Sequence, residues 1–352
     1  MGRFSVWLKA FVSLVFFAVL VRWLRGHDMR GVARGMDGRF FLLSLGIIPI
    51  MVGTSCAKWH WLLKVQGHPV PFRTLFRYYL VSYYFTNLLP SMVGGDIVRW
   101  WYSARTTGSQ ADAAVAVFLE RVTGIVLLLA LVIVGPLASP GLYRHPAIWI
   151  PALGAAGALL ALTLLAWAGS SLWKFVNHWA GRSDPAPHPA QEVGANGNAG
   201  GLPFRQKLLS KLARVQRRLA VGVEVLRRDR RVGLAVVAWT VAFYVLAAVN
   251  VWLAFRTFGP APSPLRILAV LPTALSVAMI PVTLGSLGIA ETSYVFYFSL
   301  VGLSPAHTGA MALFLRFKLI LLGVVGWMVY LGLDVRVRAA DVRKVEPSDA
   351  TW

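Results

Sequence analysis

The sequence predicts an all-α polytopic membrane protein of about seven to nine transmembrane helices, with two broken or re-entrant segments forming an internal repeat. Three observations lead there. Only 14% of the 352 residues are charged and 57% are hydrophobic, whereas a soluble domain carries about 25% charged residues. Apolar stretches recur along nearly the whole chain, each of about 20 residues and so able to cross a hydrocarbon core ~30 Å thick. Two of these stretches are interrupted by glycine and proline with charges close by. In lipid a crossing segment must satisfy its own backbone polar groups, and no period-two alternation of the kind a barrel needs is present.

The expected spans, in order, are 4–24, 40–63, 73–89, 113–137, 147–168, 232–255, 265–281, 284–302 and 308–333. The first is too long for a signal peptide, and no small-residue cleavage site follows it, so it is read as a retained span. The stretch 92–105 carries Arg99 and Arg105 and reads as a half-helix. Residues 181–203 are rich in proline, glycine and alanine, the composition of a flexible linker. In 204–231, Leu208, Leu212, Val215, Leu219, Val223 and Leu226 form one apolar stripe. Ten basic residues accompany it against Glu224 and Asp229, which describes a basic amphipathic helix on an anionic leaflet or packed on the protein itself. The chain is thus one integral membrane domain, 1–352, with repeat halves at 40–137 and 232–333.

The formal net charge is +21. Most of it flanks apolar segments, the pattern of cytoplasmic anchoring rather than of nucleic-acid binding. By the positive-inside rule the basic stretch after the first span, the linker and the C-terminal tail belong in the cytoplasm. The lone cysteine, Cys56, allows no intramolecular disulfide. No metal-ligating cluster, Walker lysine or diphosphate-binding acid pair is present, so no cofactor is expected. His60, in an aromatic run, is read as a packing or interfacial residue.

The repeat is carried by punctuation. "GHPVPFRTLFRYYLVSYYFTNLLPSMVGG" from Gly67 parallels "GPAPSPLRILAVLPTALSVAMIPVTLGS" from Gly259: a basic residue (Arg73, Arg266), an apolar helix, a proline (Pro90, Pro281), then a glycine four residues on (Gly94, Gly285). Downstream, the shared Phe-Leu of "AAVAVFLERVTG" and "GAMALFLRFKLI" sets Glu120-Arg121 against Arg316-Phe317. Paired interrupted segments in two halves of a membrane protein point to a substrate site where the halves meet. Whether the repeat is parallel or inverted stays open at this level.

Asp96, Arg99, Glu120, Arg121, Glu291, Arg316 and Lys318 lie in or beside apolar segments. Each would cost about 2.5–3.5 kcal/mol facing lipid at a helix centre, so they pair or face a wet cavity. A purely structural reading pairs Glu120 with Arg316, or Glu291 with Lys318. The functional reading is a polar cavity for a lipid headgroup. There, a helix starting after Gly94-Gly95 offers backbone N–H groups to an anion, Arg99 or Arg121 adds bidentate contacts, and Asp96 holds an arginine or meets a cation. The second break repeats the device with Gly285, Gly288 and Glu291.

"NLLPSMVGGDIVRWW", "VFLERVTG", "PVTLGSLGIAE" and "LFLRFK", in that order, resemble the transmembrane region of bacterial lysylphosphatidylglycerol synthases, which also occurs alone in flippase-like integral membrane proteins. The resemblance spans about residues 10–333 without the linker. It implies movement of an aminoacylated or otherwise modified lipid between leaflets. By position it places functional residues at Asn87, Pro90, Gly94, Gly95, Asp96, Arg99, Glu120, Arg121, Gly285, Gly288, Glu291 and Arg316; Lys318 joins them from the charge pattern. Two departures stand out. Ser286 takes the place of a second glycine often seen in the family, and no lysine-transferring soluble domain is expected here.

The expected function is a lipid flippase or transporter that binds a phospholipid or lipid-linked headgroup, its partners being membrane lipids and anionic headgroups of the cytoplasmic leaflet. Two alternatives are a membrane-embedded lipid- or polyprenyl-modifying transferase, and a lipid-presenting partner of a separate lipid-modifying enzyme. Enzymatic activity of the chain itself is the less favoured expectation.

Overall fold

The computed structural model describes residues 29–88, 94–139, 141–167, 230–280 and 283–345, with positions 14, 15, 18 and 22 of the N-terminal segment. The expected linker and nearly all of the expected amphipathic helix lie outside the described residues, as does most of the first expected span.

The described residues are helical. A short helix α1 (Met29–Arg34) precedes α2 (Gly38–Val65), which Asp37 caps by accepting the Arg39 N–H at 2.8 Å. Then come α3 (Phe72–Leu88), α4 (Gly94–Thr107) and α5 (Gln110–Val134), the last capped by Ser109. Two 3-10 turns around Pro136 and Tyr143 lead to α6 (Pro146–Trp167). The second part runs α7 (Arg230–Phe258), α8 (Pro264–Ala278), a 3-10 turn at Leu284–Ser286, α9 (Ile289–Ser299) and α10 (Pro305–Val345). Proline opens α6, α8 and α10, where its missing N–H has no intrahelical partner to lose.

Among the described residues, five helices are long and apolar enough to cross a bilayer: Gly38–Val65, Gln110–Ala138 including the turn, Pro146–Leu164, Arg230–Phe258 and Pro305–Leu333. The segments expected at 73–89, 265–281 and 284–302 form shorter helices. With 17, 14, 15 and 11 residues, α3, α4, α8 and α9 reach only about 26, 21, 22 and 16 Å at 1.5 Å per residue, short of a ~30 Å core. They form two helix–break–helix pairs, one in each part of the chain, as the glycine and proline punctuation predicts. The chain is a multi-pass membrane protein of the all-α class.

Two apolar cores form, each drawing on both parts of the chain: Val232 and Val236 of α7 join the first, Leu142 and Ile148 the second. Trp59, Leu62, Leu63 and Leu75 are completely buried in the first; Phe255, Ile267, Phe298 and Met311 fill the second. The two parts meet along α2 and α7, which run antiparallel. The Asp37 N–H donates to the Thr257 carbonyl at 2.8 Å, Ser44 and Asn250 share Lys318, and Lys58 Nζ reaches Thr240 Oγ1 at 3.5 Å. As numbers rise on one helix they fall on the other.

Two further contacts cross between the parts, the first of them antiparallel. α3 lies on α10 so closely that a Cβ on Gly326 would overlap the Leu80 carbonyl oxygen. Further along, Asn87 Nδ2 donates to the Leu319 carbonyl at 2.9 Å. In the counterpart contact, α5 ends on α8, where a Cβ on Gly135 would sit 2.5 Å from the Leu268 carbonyl oxygen. Small residues permit this backbone approach, which is how helices associate where lipid removes the hydrophobic drive between them.

Candidate functional site

The first network is assembled at the start of α4. Asp96 and Arg99, one turn apart, face the same way, and the Arg99 Nη2 donates to Asp96 Oδ1 at 2.5 Å. Its Nη1 donates to Glu120 Oε2 of α5 at 2.7 Å. The other Asp96 oxygen accepts from Arg121 Nη1 at 2.5 Å. Glu120 Oε1 accepts the Tyr79 O–H at 3.3 Å and lies 3.6 Å from Lys58 Nζ, which also donates to the Glu120 carbonyl at 2.9 Å. The guanidinium of Arg99 sits over the Tyr79 ring, 4.3 Å from its centroid, with Trp59 at 5.5 Å.

Three bases therefore share two acids, leaving one positive charge in excess. Lys58, Arg99 and Glu120 are buried, whereas the Arg121 side chain is 33% exposed. Neighbouring residues in a helix point about 100° apart, so Glu120 and Arg121 divide the work: one turns into the core and the other to its edge.

The second network is built on the second break. Glu291, third residue of α9, turns back to accept the Gly288 N–H at 2.8 Å and takes Arg316 Nε of α10 at 2.5 Å. The two remaining Arg316 nitrogens donate to the Gly285 and Ser286 carbonyls at 3.1 and 3.0 Å. One arginine thus ties an acid and both carbonyls of the unwound turn, which the broken helix leaves without intrahelical donors. Gly285 and Gly288 have φ of 53° and 83°, and Ser286 follows at 58°. A serine held there is strained by about 1–2 kcal/mol.

The expected pairings are corrected here. Glu120 meets Arg99 and Lys58 rather than Arg316, and Glu291 meets Arg316 rather than Lys318. Lys318 stands apart, donating to Ser44 Oγ at 2.8 Å and Asn250 Oδ1 at 2.5 Å. At the second break Glu291 already accepts the Gly288 N–H, so that donor is not open in this conformation.

Asn87 ties α3 to α10, and Gly94 and Gly95 open α4. A Cβ on Gly95 would overlap Thr86 Oγ1, and one on Gly285 would lie 4.0 Å from the Thr86 carbonyl, so both breaks reach Thr86. Pro90 lies outside the described residues. The structure adds Lys58, Tyr79 and Trp59 to the first network; the lysine, an ionisable group inside an apolar run, carried the signal that could have found it. His60 Nδ1 lies 2.8 Å from the Val70 carbonyl, a packing role.

A cavity of about 380 Å³ lies elsewhere, lined by Gly31, Val32, Gly35, Phe258, Ser304, Ala306 and His307. Among the described residues no group of three histidine, cysteine or acidic side chains is placed to hold a metal ion.

The two pairs share their spacing. Asp96 and Glu291 are each the third residue of the helix after a break, and each binds an arginine 25 positions later, Arg121 and Arg316, at 2.5 Å. No curated relative and no solved structure matches the chain. The family model of the lysylphosphatidylglycerol synthase TM region matches residues 6–326. With the match running through both breaks and both ion-paired networks, the chain belongs to the lysylphosphatidylglycerol synthase transmembrane-region family.

Proposed function

We propose that this protein moves a phospholipid, or another lipid with an anionic or zwitterionic headgroup, between the leaflets of a bacterial inner membrane. The observation that carries the reading is the first network: five charged side chains inside the membrane domain, one positive charge in excess, and the exposed member an arginine. An anionic phosphate is the complement of that excess, and a guanidinium grips phosphate with two parallel donors. The family match supports a lipid cargo, aminoacylated phosphatidylglycerol being one candidate.

The two halves act as an inverted repeat in this reading. Antiparallel α2 and α7, the reciprocal α3–α10 and α5–α8 contacts, and the equally spaced Asp96–Arg121 and Glu291–Arg316 pairs all suit a pseudo-two-fold axis in the membrane plane. Such a repeat lets one set of contacts serve both faces in turn. On this reading the linker and the C-terminal tail are cytoplasmic; antiparallel α2 and α7 then put the basic stretch before Gly38 on the opposite face, against the positive-inside expectation for that stretch.

The test is headgroup accessibility in proteoliposomes containing headgroup-labelled phosphatidylglycerol, with quencher added outside. The wild-type chain is expected to expose inner-leaflet label faster than protein-free vesicles. Arg121→Gln and Glu291→Gln are expected to slow it. Equal rates in wild type and both variants overturn the site; a rate no greater than that of empty vesicles overturns lipid movement. A chemically altered lipid in place of a moved one identifies the chain as a transferase.

A further inference from the structure

We propose that Lys318 is the proton-carrying group that couples lipid movement to a proton gradient; the proposal rests on the lipid-movement reading above. Lys318 lies in the membrane-crossing part of α10 and is only 3% exposed. Every hydrogen-bond acceptor around its Nζ is neutral: Ser44 Oγ at 2.8 Å, the Ser44 carbonyl at 3.5 Å and Asn250 Oδ1 at 2.5 Å, with the Phe314 ring centroid 4.8 Å away. An ionisable side chain inside a span is functional by default, and this one is not neutralised by an acid among the described residues.

The other buried cations cannot take this role. Arg99, Arg121 and Arg316 each hold a carboxylate, and arginine keeps its proton in proteins. Lys58 would abandon Glu120. Lys318 can release its proton to water and regain one without leaving any carboxylate unpaired.

Among the described residues, no titratable side chain of the surrounding elements bonds to it. α2 presents Ser44, with Lys58 and His60 engaged further along. From α7 comes Asn250, while Arg256 lies over Phe40 and Trp252. α9 brings Glu291, held by Arg316. Arg34 of α1, and Arg73 and Arg77 of α3, are exposed.

Position gives the proton its consequence. Lys318 pins α10 to both members of the antiparallel pair, α2 and α7, two residues beyond Arg316 and one before the carbonyl that Asn87 holds. The ammonium has three donors and a charge for the Phe314 face; the amine has two donors and no charge. Proton loss therefore loosens α10 from the scaffold and frees the helix that carries the second network, and proton uptake from the other side restores the grip.

The experiment uses the full chain in vesicles with headgroup-labelled phosphatidylglycerol outside and in, and a pH dye inside. Wild type is expected to move protons as it moves lipid, and its rate is expected to change by up to about tenfold per imposed pH unit if one proton is coupled. Lys318→Met and Lys318→Arg are expected to move lipid at one rate, with and without the gradient, and to move no protons. A gradient response retained in Lys318→Met overturns the proposal, as does wild-type lipid movement without proton flux, which leaves the lipid reading standing. No lipid movement by wild type overturns both. Complete loss in both variants while Cys56 stays shielded from thiol reagents makes Lys318 a headgroup contact and overturns the coupling role.

Discussion

Glu120 is the side chain on which the first network turns, and Glu120→Gln measures what it holds. The wild-type network contains Lys58, Arg99 and Arg121 against Asp96 and Glu120. The amide keeps the size of the side chain and one acceptor for Arg99, but it raises the positive excess from one to two. Removing one member of a buried ion pair costs about 3–5 kcal/mol, because the partner stays buried without its counter-charge. The 2.7 Å Arg99 contact and the 8% exposure of Glu120 put this residue in that class. Lys58→Met added to Glu120→Gln restores the excess to one, and the pair is expected to interact by about 1–3 kcal/mol, making the double variant more stable than the sum of the single ones predicts. Cys56 supplies the assay. It is the only cysteine, 0% exposed, on the helix that carries Lys58. Pulsed thiol labelling across a denaturing detergent series reads its exposure in each variant. A Glu120→Gln loss under about 1 kcal/mol, with Lys58→Met simply additive, refutes the reasoning: the ions would then be hydrated rather than dependent on one another.

The same labelling tests helix packing. Gly326→Ala is expected to cost about 1–3 kcal/mol by pushing α10 off the Leu80 carbonyl, while Gly332→Ala, with nothing within 4 Å, leaves the midpoint unchanged. At the second break, Ser286→Ala keeps the left-handed backbone and loses the 2.7 Å bond to the Ala278 carbonyl, whereas Ser286→Gly loses that bond but relieves the strain. The glycine variant is therefore expected to be the more stable by about 1 kcal/mol. Arg316→Lys cannot hold Glu291 and both break carbonyls at once, and headgroup accessibility is expected to slow about tenfold, the equivalent of one lost hydrogen bond to a charged group.

How much of this was readable beforehand follows from where each interaction lives. Helix class, the breaks and their glycines are local properties, set by apolar length and by backbone that only certain residues adopt. The turn at Gly285 appears at the expected place. The acids and arginines of both networks were visible as charges in apolar runs. Their partners were not, because pairing depends on register between segments far apart in sequence. The shared Phe-Leu set Glu120 opposite Arg316, yet the bonded pairs set Arg121 opposite Arg316, one residue away. A one-residue offset turns a helix by about 100°, so apolar faces can be matched while the charged ones are not. Lys58 was hidden by the same limit: its charge was in plain view in an aromatic run, but its value comes from Glu120, 62 positions later.

That offset bears on mechanism. On the proposed inverted repeat, Asp96–Arg121 and Glu291–Arg316 are the same latch seen from opposite faces, and they are not in the same state. Arg316 is 15% exposed and spends its nitrogens on Glu291 and two carbonyls, whereas Arg121 is 33% exposed and shares Asp96 with Arg99. One latch is sealed by backbone and the other is held only by side chains. An anion arriving at Arg121 competes with a single carboxylate; one arriving at Arg316 must displace a carboxylate and two backbone carbonyls. On the proposed lipid-movement reading, the first break is the one to admit a headgroup in this conformation, and a symmetric exchange of those two bonding patterns would present it at the second.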